Sequence, residues 1–370
     1  MMESLAVATV AGKSSLSLVR VLADSFRRYH PELPFFVLLA DEVDGYFDPG
    51  KEPFRLVTLP DLDIPNLPRF RFRYSQQELT YAVTPFLLEH LLDRGFGAAA
   101  FLKQESLVVG ALDPELKLLR ERSIVLTPHL LEPLPGEAGI GRELVILQSG
   151  VYNVGFLGLS ETPTARAFLA WWKARLSEHC HRDVAQGLHF EQRWLDLVPA
   201  FFDDVALVRD PGFNVAHWNM PERHVAVQGE GITVDGRPGR FFRFSGFDPE
   251  RPDAVTRYSP RLNTSNIGEA AEVFHRYASL LKTAGYDETK SWPYAYGRFT
   301  NGQPISNRAR ELYRRLGDEA EKFGDPHDTT RPDNFFAWSR SQLGAVATLK
   351  RVWWAALRVG REVRRALASP

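Results

Sequence analysis

Residues with usable chemistry gather in this chain where apolar runs break off. The run AAAFL at 98–102 stops at Lys103-Gln104-Glu105, a cation, an amide and a carboxylate in succession. An open α/β sheet binds its ligands outside the carboxyl ends of its strands, so this break is a candidate site on position alone. Tyr152-Asn153-Val154-Gly155 opens another apolar run. Its amide can hydrogen-bond a sugar or ribose, and Gly155 allows close backbone approach; an Asn turn leading into a buried strand explains the same residues. Asn214, His217, Trp218 and Asn219 combine an indole that can stack on a saccharide with amides that can hold its hydroxyls, or else form a satisfied core cluster. His179-Cys180-His181 with Asp183 invites a metal reading, but adjacent ligands cannot wrap one tetrahedral ion and no second cluster stands at zinc spacing. Those residues are read as a helix end, and no metal site is assigned.

The elements that must carry these groups follow from periodicity. Short apolar runs alternate with helical patterns over the first ~125 residues, the mark of βαβ units and a parallel sheet. Strands are expected at Leu5 to Val10, Pro34 to Ala40, Phe54 to Leu59 and Ala98 to Leu102, with helices at Ser14 to Tyr29 and Gln76 to Leu92. Beyond this half the pattern is mixed: strands at Ser123 to Thr127 and Gly150 to Leu159, a helix from Thr162 to Ser177, a hairpin from Val225 to Val234, an aromatic strand at Arg240 to Phe244 and a helix near Glu269 to Ala284. The expected architecture is therefore an α/β Rossmann-type mixed sheet flanked by helices, with α+β elaboration. The main domain is placed at 1–315 (a nucleotide-binding half at 1–125, a sugar and acceptor half at 126–315), a charged linker with Pro326 and Pro332 at 316–334, and a C-terminal helical tail at 335–370.

Composition narrows the partners. With 370 residues, 44% hydrophobic and 12% aromatic, the chain can bury a core and is not globally disordered. A formal net charge of -1 gives no general attraction for nucleic acid, so none is expected as a partner. A single cysteine excludes an intramolecular disulfide framework. Met1-Met2-Glu3 lacks the character of a signal peptide, and no stretch approaches ~18 uninterrupted apolar residues, which together point to the cytoplasm. In the tail, Val346, Leu349, Trp353, Ala356, Val363 and Leu367 recur at helical spacing among Lys350, Arg351, Arg358, Arg361, Arg364 and Arg365. Such a helix fits an anionic membrane surface, giving a peripheral site on the inner membrane, or docks on protein.

Several blocks, in order, resemble bacterial GT-A glycosyltransferases related to glycogenin and the lipooligosaccharide galactosyltransferases. They include VRVLADSFRRYHPELPFFVLLADE (Val19 to Glu42), FLKQESLVV (Phe101 to Val109), GVYNVGFLGL (Gly150 to Leu159), FEQRWLDLVP (Phe190 to Pro199), DPGFNVAHWN (Asp210 to Asn219) and FFRFSGFDP (Phe241 to Pro249). The resemblance implies a GT-A-like fold and transfer of a sugar from a nucleotide diphosphate sugar, a UDP-sugar first, to a saccharide or lipid-linked acceptor of a surface polysaccharide, with retained configuration. A catalytically inactive binding or scaffold protein of the same fold is the alternative, and a nucleotidyltransferase a more distant one.

Departures from the family pattern fall at the metal. Lys103-Gln104-Glu105 stands where such enzymes carry Asp-x-Asp, and Arg243 stands where FHFSG has its histidine. Two aspartates, a divalent ion and a neutral histidine sum to zero, whereas Lys103, Gln104, Glu105 and Arg243 sum to plus one without an ion. Fixed cations can neutralise a leaving diphosphate as a metal does. The resemblance thus implies a metal-independent diphosphate site of Lys103, Gln104, Glu105, Arg243, Ser245 and Gly246, with no cofactor. Magnesium or manganese recruited through Glu105 is the alternative. Glu191 and Gln192 fall where the family carries Asp-Gln at the sugar's reacting face and are the catalytic candidates; by themselves they read as the exposed start of a helix. Thr9, Val10, Ala11, Asn153 and Gly155 are assigned to nucleotide and sugar, Asn214, His217, Trp218 and Asn219 to the acceptor, and the loop with Tyr296, Gly297, Arg298, Asn301 and Gly302 to a cap over the donor.

Overall fold

The computed structural model describes residues 5–343. The chain forms two compact units: one takes the chain up to Pro65 and again from Gln76 to Ala295, the other Asn66–Ser75 and the chain from Tyr296 onward.

The first unit contains β1 (Leu5–Ala11), β2 (Phe35–Leu39), β3 (Arg55–Thr58), β4 (Ala98–Leu102), β5 (Ser106–Val108), β6 (Ile124–Pro128), β7 (Tyr152–Ser160), β8 (Arg182–Asp183), β9 (Leu188–His189), β10 (Val205–Leu207), β11 (Val225–Gln228), β12 (Gly231–Val234), β13 (Arg237–Pro238) and β14 (Phe241–Arg243). Its main sheet has seven strands among the described residues, in the order β10-β6-β7-β4-β1-β2-β3. Its pairings are parallel except those of β7, which runs antiparallel to β4 and β6. Every residue of β1, β2, β4 and β6 is buried, as expected of strands covered on both faces. The helix Leu16–Tyr29 supplies part of that cover, turning Leu16, Val19, Leu22 and Phe26 into the core with Val7, Phe35 and Ala100. The α/β class read from the sequence is the observed one, a mainly parallel mixed sheet flanked by helices.

Three connections bring the distant breaks together. β7 crosses beside β4, so the Lys103 amide donates to the Gly155 carbonyl at 3.0 Å. β14 pairs antiparallel with β5, setting Arg243 opposite Ser106, and the Phe244 amide donates to the Glu105 carbonyl at 2.8 Å. A bridge between Val215 and Phe242 adds the segment that holds Asn214.

The expected helix Gln76 to Leu92 is two, Gln76–Ala82 and Thr84–Asp93, because Pro85 starts the second at a position where no amide is needed. The helix Gly136–Ser149 was not expected from periodicity, and the structure shows why: only Gly139 in it is buried, so it has no apolar stripe to read. The linker assigned to 316–334 is replaced by packed chain. Ala320 and Phe323 of the turn Gly317–Phe323 join Phe72, Tyr313 and Phe335 in the core of the second unit, and two apolar side chains within a charged run gave no periodic signal. The boundary set at 315 therefore falls inside the second unit, which also holds the loop Tyr296–Gly302, where Arg310 donates to the Tyr296 carbonyl at 2.8 Å. The expected basic tail helix is helical over 335–343; its basic stretch at 344–370 lies outside the described residues. Among the described residues no helix is long and apolar enough to cross a membrane.

Candidate functional site

Two ion pairs stand at the carboxyl end of β4. Lys103 Nζ lies 2.7 Å from Glu191 Oε1, with both side chains under a tenth exposed, and 3.4 Å from the Tyr81 ring centroid, a cation–π contact. Arg243 Nη2 lies 2.8 Å from Glu105 Oε1, and its Nη1 donates to Asn153 Oδ1 at 2.5 Å. Two cations and two carboxylates cancel, so the surplus of plus one read from the sequence disappears once Glu191 is included. Neither Lys103 nor Arg243 is a free point charge waiting for phosphate. Burial lowers the Lys103 pKa, with Glu191 pulling the other way. Burial also opposes the charge on Glu105, but Arg243 and Lys103 outweigh it and hold that carboxyl below its ordinary range.

Asn153 is the hub. Its Oδ1 accepts from Arg243, from Asn214 Nδ2 at 3.1 Å and from the Gly155 amide at 2.8 Å. Its Nδ2 lies 2.9 Å from Gln192 Oε1 and 2.9 Å from His129 Nε2. A Cβ at Gly155 would meet Asn214 Oδ1 at 2.4 Å and Asn153 Oδ1 at 2.6 Å, so this position admits only glycine while the amides hold their places. Gln192 in turn donates to the Ser149 carbonyl at 2.7 Å, and Glu191 is fixed by the Trp172 indole, which donates to its carbonyl at 3.2 Å. Neighbouring Phe190 has φ 52, a left-handed residue of the kind that accumulates at functional sites. The pair Glu191-Gln192 is thus drawn into the network; a helical turn, Arg193–Leu197, does start beside it with Gln192 at its N-cap, but Glu191 is buried instead of exposed.

A cavity of about 310 Å³ opens beside the pairs, lined by Gln104, Glu105, Ser245, Gly246, Arg257 and Tyr258 on one side and by Ser14, Ser15, Gln76 and Tyr81 on the other. Gly246 has φ +75, and a Cβ there would meet Tyr258 Cε2 at 2.6 Å and Thr256 Oγ1 at 2.7 Å. Thr256 Oγ1 donates to the Ser245 carbonyl at 2.8 Å, and the Arg257 amide to that of Gly246 at 2.9 Å, tying the segment to the cavity wall. Arg257 Nη2 donates to Tyr258 Oη at 2.9 Å, and among the described residues no carboxylate pairs with Arg257.

The remaining candidates separate. Thr9, Val10 and Ala11 are buried in β1, and the residues that reach the cavity follow them, Gly12, Ser14 and Ser15. Asn219 is structural on its amide side, donating to the His129 and Asn214 carbonyls, each at 3.1 Å. Trp218 stacks edge-on between His129 and His217, at 5.2 and 5.0 Å. Its Nε1, together with Asn214 Oδ1, Arg243 Nε and Gln104 Oε1, has no hydrogen-bond partner among the described residues, and buried polar atoms left so are places for ligand or water. Cys180 is buried, with Sγ 3.6 Å from the Glu78 carbonyl. Sequence reasoning missed His129 and Arg257. His129 directly follows β6, so the strand-end rule could have found it; Arg257 lies in irregular chain with no pattern to mark it.

Among the described residues no group of three or more His, Cys, Asp or Glu side chains converges as ligands, and Glu105 and Glu191 each face a cation. Burial pushes the pKa of His129 down to about 3 and, with Arg243 assisting, that of His217 to about 4, from 6.5. Neutral His129 can donate from Nδ1 to the Val151 carbonyl at 3.2 Å while Nε2 accepts from Asn153. Folded pKa values below the unfolded one mean that the unfolded chain binds these protons first. The stability these rings contribute is complete above pH 6.5 and is lost as pH falls towards 4 and 3. The slope of unfolding free energy against pH, measured between about pH 6 and about pH 4, should be smaller in His129→Gln by up to about 1.4 kcal/mol per unit. Equal slopes would mean that His129 titrates normally.

No family model matches the chain. It is similar to two uncharacterized proteins of Bacillus subtilis (strain 168): YfnF, 24% identical over 256 residues covering 65% of this chain and 81% of that one, and YfnD, 23% identical over 255 residues covering 66% and 79%. Among solved structures it is similar to the galactosyltransferase LgtC in complex with donor and acceptor sugar analogs, at 15% identity and a TM-score of 0.45, covering 74% of this chain and 95% of that one. It is also similar to the glycosyltransferase GlyE of Streptococcus pneumoniae TIGR4, at 13% identity and a TM-score of 0.44, covering 80% and 66%. At such scores function has to be argued from the site.

Proposed function

We propose that the chain transfers a sugar from a nucleotide diphosphate sugar, UDP-sugars first, to a saccharide or lipid-linked saccharide acceptor, without a metal and with retained configuration. The observation that carries this reading is the cavity at the carboxyl ends of β1 and β4, where Arg257 is a cation without a carboxylate partner and borders the Ser245-Gly246 backbone. In the transfer, the bond between the anomeric carbon and the diphosphate oxygen breaks, and a bond from the acceptor hydroxyl oxygen to that carbon forms. The acceptor proton passes to the departing diphosphate or to water. Arg257 meets the charge that develops on the diphosphate, as a bidentate fork suited to phosphate. Lys103 and Arg243 act one step back: through their ion pairs they fix the positions of Glu191 and Glu105 beside the donor sugar, where a carboxylate oxygen can face an oxocarbenium-like carbon. Gln192 and Asn153 orient sugar hydroxyls, and Trp218 with Asn214 offers the stacking face and free acceptor atom for the second sugar.

The alternative is an inactive binding protein of this fold. One experiment addresses both. Calorimetry with UDP, GDP and ADP sugars in excess EDTA should find at least one that binds, and added acceptor saccharide should then release the nucleotide diphosphate. Binding that requires added manganese would end the metal-free reading. Absence of any nucleotide sugar binding, with or without metal, would end the transferase reading, and binding without turnover would leave the inactive form. A cytoplasmic protein working at an anionic membrane surface remains part of the proposal through the basic sequence of 344–370.

A further inference from the structure

A second cavity, of about 680 Å³, has Asn219 on its wall. Three arginines from separate stretches line it: Arg209 just past β10, Arg223 after the turn Met220–Glu222, and Arg237 on β13. Among the described residues none of the three has a carboxylate within ion-pair distance. The carboxylates that line the same cavity are Glu132, Glu222 and Asp235. Glu222 is taken by Arg142, with a second contact at 2.7 Å, and Asp235 Oδ1 accepts from the His224 amide at 2.7 Å. Arg223 is the costliest of the three to leave unpaired. It is largely withdrawn from water, its protein acceptor is the Phe213 carbonyl at 3.1 Å, and burial pulls its pKa down to about 10. With Glu222 neutralised from outside, the lining keeps a small positive excess.

The rest of the wall is apolar: Leu130, Leu131, Leu134 and three prolines. Hydrogen bonds tie the wall of this cavity to the network already described. Asn219, on its wall, bonds the His129 and Asn214 carbonyls, and Arg142, which grips Glu222, also donates to the Trp218 carbonyl at 2.6 Å. Arg209 lies close enough to the Tyr152 hydroxyl for its charge to be felt there, one residue from Asn153. Guanidinium groups without carboxylate partners among the described residues, beside aliphatic surface, match a group that is anionic at one end and hydrocarbon at the other.

We infer that this cavity binds the phosphate and first hydrocarbon segment of the acceptor, and that the acceptor is a saccharide carried on a lipid phosphate. This rests on the transferase reading and narrows its acceptor. Arg209, Arg223 and Arg237 hold the phosphate, Leu130, Leu131 and Leu134 take the chain next to it, and the sugar end reaches Trp218.

The test uses the full chain and three probes below their micelle concentrations: octyl phosphate, inorganic phosphate and the neutral octyl glucoside, titrated against the wild type and an Arg209→Ala/Arg237→Ala variant. Both replaced side chains are exposed, so the variant should fold, and its UDP affinity serves as the internal control. Octyl phosphate should bind the wild type at least about tenfold more tightly than either other probe, and the variant should lose about tenfold or more of that affinity with UDP binding unchanged. Undiminished octyl phosphate binding in the variant, or octyl glucoside binding as well as octyl phosphate, would overturn the site. Inorganic phosphate matching octyl phosphate would overturn the lipid assignment. If UDP fails to bind the wild type while octyl phosphate behaves as expected, the cavity stands and the transferase reading falls.

Discussion

Replacing Lys103 by methionine will lower the unfolding free energy by about 3–5 kcal/mol, because removing one partner of a buried pair leaves the other charge without compensation. Glu191 would keep its carboxylate under a tenth exposed, with no other cation at hydrogen-bond distance among the described residues. The sequence alone puts Lys103 in an open phosphate site, where its loss would weaken ligand binding and spare the fold; the 2.7 Å contact with Glu191 reverses that expectation. The companion variant separates the cause. Lys103→Met/Glu191→Gln removes both charges in similar volume and should recover most of the loss, since replacing a buried pair by uncharged groups is often close to neutral. Urea unfolding of the two single variants and the double variant supplies the cycle. If the double variant is as unstable as Lys103→Met, packing against Tyr81, and not charge, is what Lys103 provides.

The second large effect is on turnover. Arg257→Ala should lower kcat/KM for transfer about 100-fold or more, the scale seen when one preorganised donor to developing negative charge is removed, and should leave the melting temperature close to that of the wild type. The side chain is exposed and bonds Tyr258 Oη, so few folded contacts depend on it. A structural role would lower the affinity for a nucleoside and for its diphosphate alike; a phosphate role lowers only the latter. Arg257→Lys should restore part of the rate, retaining the charge but losing the fork. Equal turnover of wild type and Arg257→Ala would leave the departing diphosphate to groups not yet identified.

How far the sequence led can be followed residue by residue. The buried strands were legible because both faces of each are covered, which writes continuous apolar runs such as PFFVLLA and AAAFL into the chain. Lys103, Glu105, Asn153, Glu191, Gln192, Asn214 and Arg243 were legible as candidates because they sit at strand ends or in motif-like blocks, and the structure brings all seven into one network. Their pairing was not legible. Sequence spacing says nothing about which cation meets which carboxylate across separations of 88 and 138 residues, and a charge count made without Glu191 came out with the wrong surplus. Arg257 was invisible for a different reason: its place is fixed by its own amide donating to the Gly246 carbonyl and by the Thr256 hydroxyl donating to that of Ser245, in a segment without periodicity. The helix Gly136–Ser149 escaped because its aliphatic residues, Ile140, Leu144, Val145 and Leu147, face outward and give no inward stripe.

The second unit draws on two stretches of chain that the ribosome makes far apart. The helix Leu67–Arg73 puts Phe72 into a cluster whose other members, Phe299, Tyr313, Phe323 and Phe335, all follow the completed first unit. At ~5–20 residues per second, roughly ten to fifty seconds pass between the synthesis of Phe72 and that of its partners. Through that interval the nascent chain carries an amphipathic helix with nothing to fold against, a ready target for a chaperone and an early hazard for aggregation. Any termination before Phe299 makes that wait permanent, so a late stretch of message decides the fate of an element encoded near its beginning.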